Sequence, residues 1–202
     1  MPDSSVAFRP LGIPQYIILE RVLGTAKKSQ FHDLELSTSV SSARHAVAID
    51  ETRRSFEPTL WTNVDQLNEN GSNTDSYQQL WFPGDHGSVG GGGDLSRISN
   101  GALLWILEGA ERCGLELDPK QIDLWRSKAD PMAPLRNRTQ PAGFYDRISR
   151  KAPRQGPRHW KDLSESAQTR LRSGSKSADM PPYRPKSLEA IIRDLEDHRL
   201  TQ

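Results

Sequence analysis

The spacing of apolar residues predicts only a few short strands. The clearest one covers residues 79–83, where an apolar, aromatic run is followed by a Pro-Gly turn. Residues 16–23 are apolar but interrupted by Glu20 and Arg21, so they fit either a strand or a short helix, and residues 59–61 fit a short strand. One clear strand and two weak ones are too few for a sheet that helices cover on both faces.

Helical spacing is strongest just after the glycines that follow this strand. Apolar residues recur on two neighbouring faces of residues 95–113, which predicts a buried helix. Asp94 is placed to cap its first turn, and Gly114 to end it. A shorter helix is predicted from Pro119, a favoured first residue, through Trp125. A sheet must cover the apolar face of the longer helix, so the fold class predicted is α/β.

Three other segments also have helical spacing. Intervals of four, three and four residues between apolar positions predict a helix over residues 36–56, which the sequence Glu57-Pro58 ends. Residues 163–171 form a shorter candidate. Residues 188–200 predict an amphipathic helix near the end of the sequence.

The composition changes near residue 126. Residues 126–187 contain 15 Lys or Arg against 5 Asp or Glu and many prolines, although the whole chain has a formal charge of only +1. The sequence therefore predicts a partial α/β domain over residues 11–125 and a basic, proline-rich, irregular tail over 126–202 that ends in the amphipathic helix. A basic segment attracts nucleic acid or anionic lipid, but it more often lies as a solvated arm on an acidic part of the same chain. We favour the second interpretation.

Candidate chemistry concentrates in the sequence Trp81-Phe-Pro-Gly-Asp-His86. In open α/β sheets, ligands lie just beyond the carboxyl ends of strands, and a histidine there can transfer protons near neutral pH. His86 is therefore a candidate general base, with Asp85 beside it; the alternative is a turn residue bonded to backbone. As a base, His86 should face an open groove walled by residues 79–83. His45 is a competing candidate, more simply explained as a half-buried helix residue bonded to a neighbour.

Several kinds of site have no motif in this sequence. The glycines at 90–93 do not match the phosphate-binding patterns, so neither a nucleotide nor another cofactor is expected. No His-Glu-x-x-His sequence occurs, and no metal site is predicted. The sequence contains no Gly-x-Ser-x-Gly, the motif of a serine nucleophile. No signal peptide and no apolar run of roughly 20 residues are visible, and we expect a cytoplasmic protein.

Four stretches resemble, in family order, the catalytic domain of the class-one lipase effectors of type VI secretion, an α/β-hydrolase group. The third is the most specific. They are Leu11-Gly-Ile-Pro14, then His45-Ala-Val-Ala-Ile-Asp-Glu-Thr-Arg53 with Phe56-Glu-Pro58 and Leu60-Trp61, then Trp81-Phe-Pro-Gly-Asp-His-Gly-Ser-Val-Gly-Gly-Gly92, and Tyr183-Arg-Pro185.

The resemblance implies a serine esterase or phospholipase with a Ser-His-Asp triad, acting on an acyl ester or phospholipid. It implies that His86 is the base, with His45 competing and Asp85 a weaker candidate. The chain would be the C-terminal part of an α/β-hydrolase-like domain, left without a nucleophile by a truncated gene, a split gene or a misassigned start, and inactive alone. Its partners would be an N-terminal half or an immunity-type protein, and family members are exported by type VI secretion. The alternative is a degenerate hydrolase-like module whose basic segment binds anionic lipid or, less expected, nucleic acid.

Overall fold

Two parallel strands form the sheet that organises the molecule. Strand β1 (Ala43–Ala48) pairs with β2 (Tyr77–Phe82) along their whole length. The computed structural model describes residues 34–70, 76–137, 139, 154–173 and 181–200, which fall within one compact unit. Because the strands are parallel and in register, both end at the same edge of the sheet. The loops that follow them therefore begin side by side.

Helices lie on both faces of this sheet, so the expectation that so few strands are too few for such an arrangement is wrong for the described residues. Strand residues alternate between the faces, so Ala48 and Phe82 pack against helical residues on one side, while Val47, Ile49 and Trp81 pack against helices on the other. The described part of the chain is thus an α/β structure around a two-stranded parallel sheet. Its helices are α1 (Val64–Asn70), α2 (His86–Gly90), α3 (Ser99–Arg112), α4 (Pro119–Lys128), α5 (Glu165–Ser173) and α6 (Glu189–Leu200), with short 3-10 turns at Arg54–Phe56, Trp160–Asp162 and Lys186–Leu188.

The helix predicted over residues 36–56 is wrong, because β1 occupies the middle of that segment. The serine-rich stretch before β1 bonds locally instead of forming helical turns: Ser37 Oγ accepts a hydrogen bond from the backbone N–H of Ser39. The backbone N–H of Leu36 donates to the Asn63 side chain at 2.9 Å. Only Val47 and Ala48 of β1 are buried, and the apolar run 46–49 is too short for periodicity to distinguish a strand from a helix.

Two of the other elements predicted near the sheet are present in the structure, and one is not. The strand predicted at 79–83 is confirmed as β2, whereas the strand predicted at 59–61 is wrong, because those residues are irregular. The helix predicted over 95–113 is confirmed as α3 but begins four residues later, and the expected burial is only partial, because the apolar residues 103–107 are half-buried. Asp94 does not cap it and accepts a hydrogen bond from Thr139 instead. Gly114 ends it with a positive φ of 95°, as predicted.

The two helices predicted near the end of the chain are confirmed as α5 and α6. The expectation of a solvated arm is wrong for α5, because Ala167 and Leu171 are fully buried against Trp81 of β2. The backbone N–H of Ser164 also donates to the Trp81 carbonyl at 2.9 Å. The domain boundary near residue 126 stays a prediction, and residues from both sides of it share this core. Residues 16–23 and the Leu11-Gly-Ile-Pro14 stretch lie outside the described residues.

No helix in the described part of the chain has the length and apolar composition that a membrane crossing requires.

Candidate functional site

The loops after β1 and β2 leave the sheet together. Backbone hydrogen bonds continue past the carboxyl end of each strand. The backbone N–H of Ile49 donates to Phe82 O at 2.9 Å, and that of Asp50 donates to Gly84 O at 3.0 Å. The first loop carries two neighbouring acids and the second carries His86. This edge is the place where ligands bind in parallel α/β sheets.

The two loops bring Glu51 and His86 into contact. Oε2 of Glu51 lies 2.5 Å from Nδ1 of His86. The carboxylate is buried, with 2% of its side chain exposed, whereas the imidazole is 46% exposed. In this arrangement Nδ1–H donates to the carboxylate, which leaves Nε2 to accept a proton.

Arg53 keeps the Glu51 carboxylate charged. Its backbone N–H and its Nε–H donate to Oε1 at 2.8 and 3.0 Å, and Nη2 donates to Oε2 at 2.8 Å. Burial would raise the pKa of Glu51, but the hydrogen bonds from Arg53 and His86 outweigh it and lower that pKa to about 2. Nη2 of Arg53 also lies 2.8 Å from His86 Nδ1, so both donors converge on one oxygen.

A second contact fixes the plane of the His86 ring. Phe56 stacks on it with a centroid distance of 4.2 Å and an angle of 10° between the rings. His86 is the first residue of α2, and Asp85 caps that short helix by accepting from the Ser88 backbone N–H at 2.7 Å. Stacking and the bond to Glu51 together define the imidazole orientation.

The imidazole borders an open groove of about 380 Å³. The groove was expected to be walled by residues 79–83; that expectation is wrong, because its sheet wall comes from β1 and its other wall from α2 and α3. Its lining is mostly apolar and contains two histidines and one arginine. The lining residues are His45, Ala46, Val47, Ala48, Phe56, Pro58, His86, Val89, Gly90, Gly91, Ser99, Ala102, Leu103, Ile106 and Arg154.

His45 also borders the groove, but on β1 and with different partners. Its Nδ1 lies 3.0 Å from Gln79 Oε1, which also accepts from the Trp61 backbone N–H at 2.8 Å. Since Gln79 offers an oxygen, His45 donates there. Its ring also lies against Trp61, with the centroids 5.0 Å apart. The structure therefore pairs His45 with Gln79 and Trp61 and does not bring it to Glu51.

Asp50 braces the turn that precedes His86. Its Oδ2 accepts from the Gly84 backbone N–H at 2.6 Å and from the Tyr183 hydroxyl at 2.7 Å. Burial raises the pKa of Asp50 even though both hydrogen bonds oppose it. Gly84 has a φ of 106°, and a Cβ there would lie 2.6 Å from the Ser88 Cβ, so the turn requires glycine.

The chain is similar to one known family. The family model of the T6SS phospholipase effector Tle1-like catalytic domain matches residues 7–109, which include both strands and the Glu51–His86 contact. The chain belongs to this Tle1-like family. The resemblance inferred from the four sequence stretches is thereby confirmed. No curated protein and no solved structure matches the chain.

In this Tle1-like chain, Glu51 is the site residue that the sequence reasoning missed. It was assigned to a helix, so its proximity to the end of β2 was not foreseen. A signal for it is present in the sequence: the apolar run 46–49 is followed at once by Asp-Glu, and the apolar run of β2 is followed, after Pro83-Gly84, by Asp-His. Two short apolar runs that each end in charged residues are typical of adjacent parallel strands.

The described part of the Tle1-like chain has no group of three or more His, Cys, Asp or Glu residues placed to hold a metal ion.

Proposed function

We propose that this chain carries the histidine and the carboxylate of a carboxylic ester hydrolase site that acts on phospholipids. The Glu51–His86 contact beyond the ends of two parallel strands is the observation that supports this most strongly. Membership of a family of phospholipase effectors supports lipid as the substrate. On this proposal the sheet is the end portion of an α/β-hydrolase-like sheet.

His86 acts as the general base in this proposal. With Nδ1–H held by Glu51, Nε2 accepts the proton of a serine hydroxyl as its oxygen attacks the acyl carbonyl carbon. The ionised carboxylate stabilises the imidazolium that forms. Nε2–H then protonates the leaving alcohol oxygen as the ester C–O bond breaks. Water hydrolyses the acyl-serine by the same exchange, which releases the fatty acid and restores the serine.

The groove supplies a place for the acyl chain. Phe56, Val89, Leu103 and Ile106 give it an apolar lining, and His86 stands at its border. Its volume of about 380 Å³ falls within the range of small-molecule sites. An acyl chain held there would bring its ester close to the imidazole.

The basic-segment binding alternative has no observation that favours it. Arg170 donates to backbone carbonyls, Arg172 lies over the Trp160 ring, and Arg184 donates to the Leu171 carbonyl. These charges are thus already used within the fold. The binding alternative stays a prediction, as does a protein partner.

An assay of the purified chain tests the proposal. Because the sequence contains no Gly-x-Ser-x-Gly, we expect neither short acyl esters nor phospholipid vesicles to release product above the buffer rate. The control is His86→Ala, which should give the same result. Turnover that disappears in His86→Ala would contradict inactivity but keep His86 as the base. Turnover that persists in His86→Ala would contradict both parts of the proposal.

A further inference from the structure

Arg154 is a half-buried cation in the wall of the groove beside His86. Its Nη1–H donates to the carbonyl of Ala48, the last residue of β1, at 2.7 Å, and its Nη2–H donates to the carbonyl of Phe56. Phe56 is also the residue whose ring stacks on His86. The guanidinium and the imidazole therefore both contact Phe56.

The guanidinium of Arg154 has more N–H donors than these two carbonyls use. It has five N–H groups, and the two carbonyls account for two of them. Among the described residues Arg154 forms no salt bridge, although the charges of Glu51 and Glu57 act on it from further away. Burial lowers the pKa of Arg154, which shows that its charge is partly removed from water. A cation in this state gains from an anionic ligand.

The groove thus combines an apolar wall, an imidazole and a cation that forms no salt bridge with any residue that the structure describes. A phospholipid has the matching groups: an acyl chain, an ester and a phosphodiester joined through one glycerol unit. The planar fork of a guanidinium fits two phosphate oxygens at once, which a point charge does not.

We propose that Arg154 binds the phosphodiester of a phospholipid whose acyl chain lies along the apolar wall and whose ester faces His86. Arg154 is then the residue that selects phospholipids over neutral acylglycerols. This inference rests on the proposed function and specifies its substrate.

Binding of two matched lipids tests the inference without requiring turnover. The probes are dihexanoyl-phosphatidylcholine, kept below its micelle concentration, and dihexanoylglycerol, which lacks the phosphate. We expect the wild-type chain to bind the phospholipid about tenfold more tightly, as suits a hydrogen-bonded charge pair. Arg154→Gln should remove that preference and leave the affinity for the glyceride unchanged, while Arg154→Lys should keep part of it. The exposed Arg158 provides the control, and Arg158→Gln should behave as wild type.

A measurement on the wild-type chain covers the case in which Arg154→Gln does not fold. The Nε–H resonance of Arg154 should shift when the phospholipid is added and stay in place when the glyceride is added. The inference is overturned if that resonance does not respond to the phospholipid. It is also overturned if Arg154→Gln keeps the preference for the phospholipid, or if it lowers the affinity for both lipids equally. If the wild-type chain binds both lipids with equal affinity, the role of Arg154 is contradicted and the proposed function of the groove stands. If the wild-type chain binds neither lipid, the proposed function of the groove is contradicted.

Discussion

At the scale of single residues, two neighbouring acids occupy opposite electrostatic environments. Glu51 is bonded to Arg53 and His86, and its pKa falls to about 2 despite burial. Asp50 is bonded to the Gly84 backbone and to the Tyr183 hydroxyl, and burial raises its pKa. Glu51 therefore stabilises the fold as an anion, whereas ionising Asp50 in its buried position costs stability. The first is suited to orient a histidine and the second to brace a turn.

Glu51→Gln should lower the free energy of unfolding at neutral pH by about 3 kcal/mol, the equivalent of a pKa change from 4.5 to about 2. A carboxylate with a depressed pKa contributes its stability above the unfolded-state value, and this contribution is lost as the pH falls through the folded-state value. The difference between wild type and variant should therefore more than halve by about pH 3.

Urea unfolding of both proteins at a series of pH values measures this difference. Asp50→Asn is the control, and its stability relative to wild type should change with pH in the opposite direction. A Glu51→Gln deficit that stays constant down to about pH 3 would contradict the ionised, paired state of Glu51.

At the scale of elements, the sequence predicted the strand and helix that flank His86 but not the strand that leads to Glu51. Strand β2 was recognisable because aromatic residues precede a Pro-Gly turn, and α3 because its apolar face is wide. Strand β1 is buried only at its last two residues and has no period of two, so its apolar residues matched a helical interval by coincidence. The site was therefore half predicted: His86 came from its own motif, whereas Glu51 required the pairing of two strands far apart in sequence.

Helix α5 was predicted from its sequence, but its place in the core was not. Leu171 is fully buried against Trp81 and Leu188, whereas Leu124 on α4 is 43% exposed. Leu171→Ala should therefore lower the free energy of unfolding by about 2–5 kcal/mol, and Leu124→Ala by well under about 1 kcal/mol. Urea unfolding with tryptophan fluorescence provides the measurement. Equal effects of the two substitutions would show that α5 does not pack on the sheet.

At the scale of the whole molecule, described residues of the basic segment 126–187 belong to the same core as the sheet. Arg170 is 5% exposed, donates to the Pro131 and Ala133 carbonyls and lies over the Tyr183 ring. Burial lowers the pKa of Arg170, and the charge of Asp50 opposes that change. Composition alone suggested a solvated arm, because net charge does not reveal which arginines bond to backbone. Arg170 lies over the Tyr183 ring, and the Tyr183 hydroxyl donates to Asp50, which also holds the turn before His86.

Arg170→Met should lower the free energy of unfolding by about 3 kcal/mol or more, because two buried carbonyls lose their charged donor. Arg158→Met, at an exposed position, should change it by less than about 0.5 kcal/mol. Chemical unfolding of both variants is the measurement. If the basic region were instead a binding surface, Arg170→Met would keep its stability and lose affinity for anionic vesicles.

The pairing of His86 with Glu51 is the central claim, and nitrogen-15 NMR of the histidine side chains tests it most directly. In the neutral imidazole, the account predicts a proton on Nδ1 of His86, held by Glu51, and a bare Nε2. Glu51→Ala should shift the population toward the Nε2–H tautomer, whereas Asp85→Asn, which changes only the cap of α2, should leave it unchanged. An Nε2–H tautomer in the wild-type chain, or a tautomer that responds to Asp85→Asn and not to Glu51→Ala, would contradict the claim.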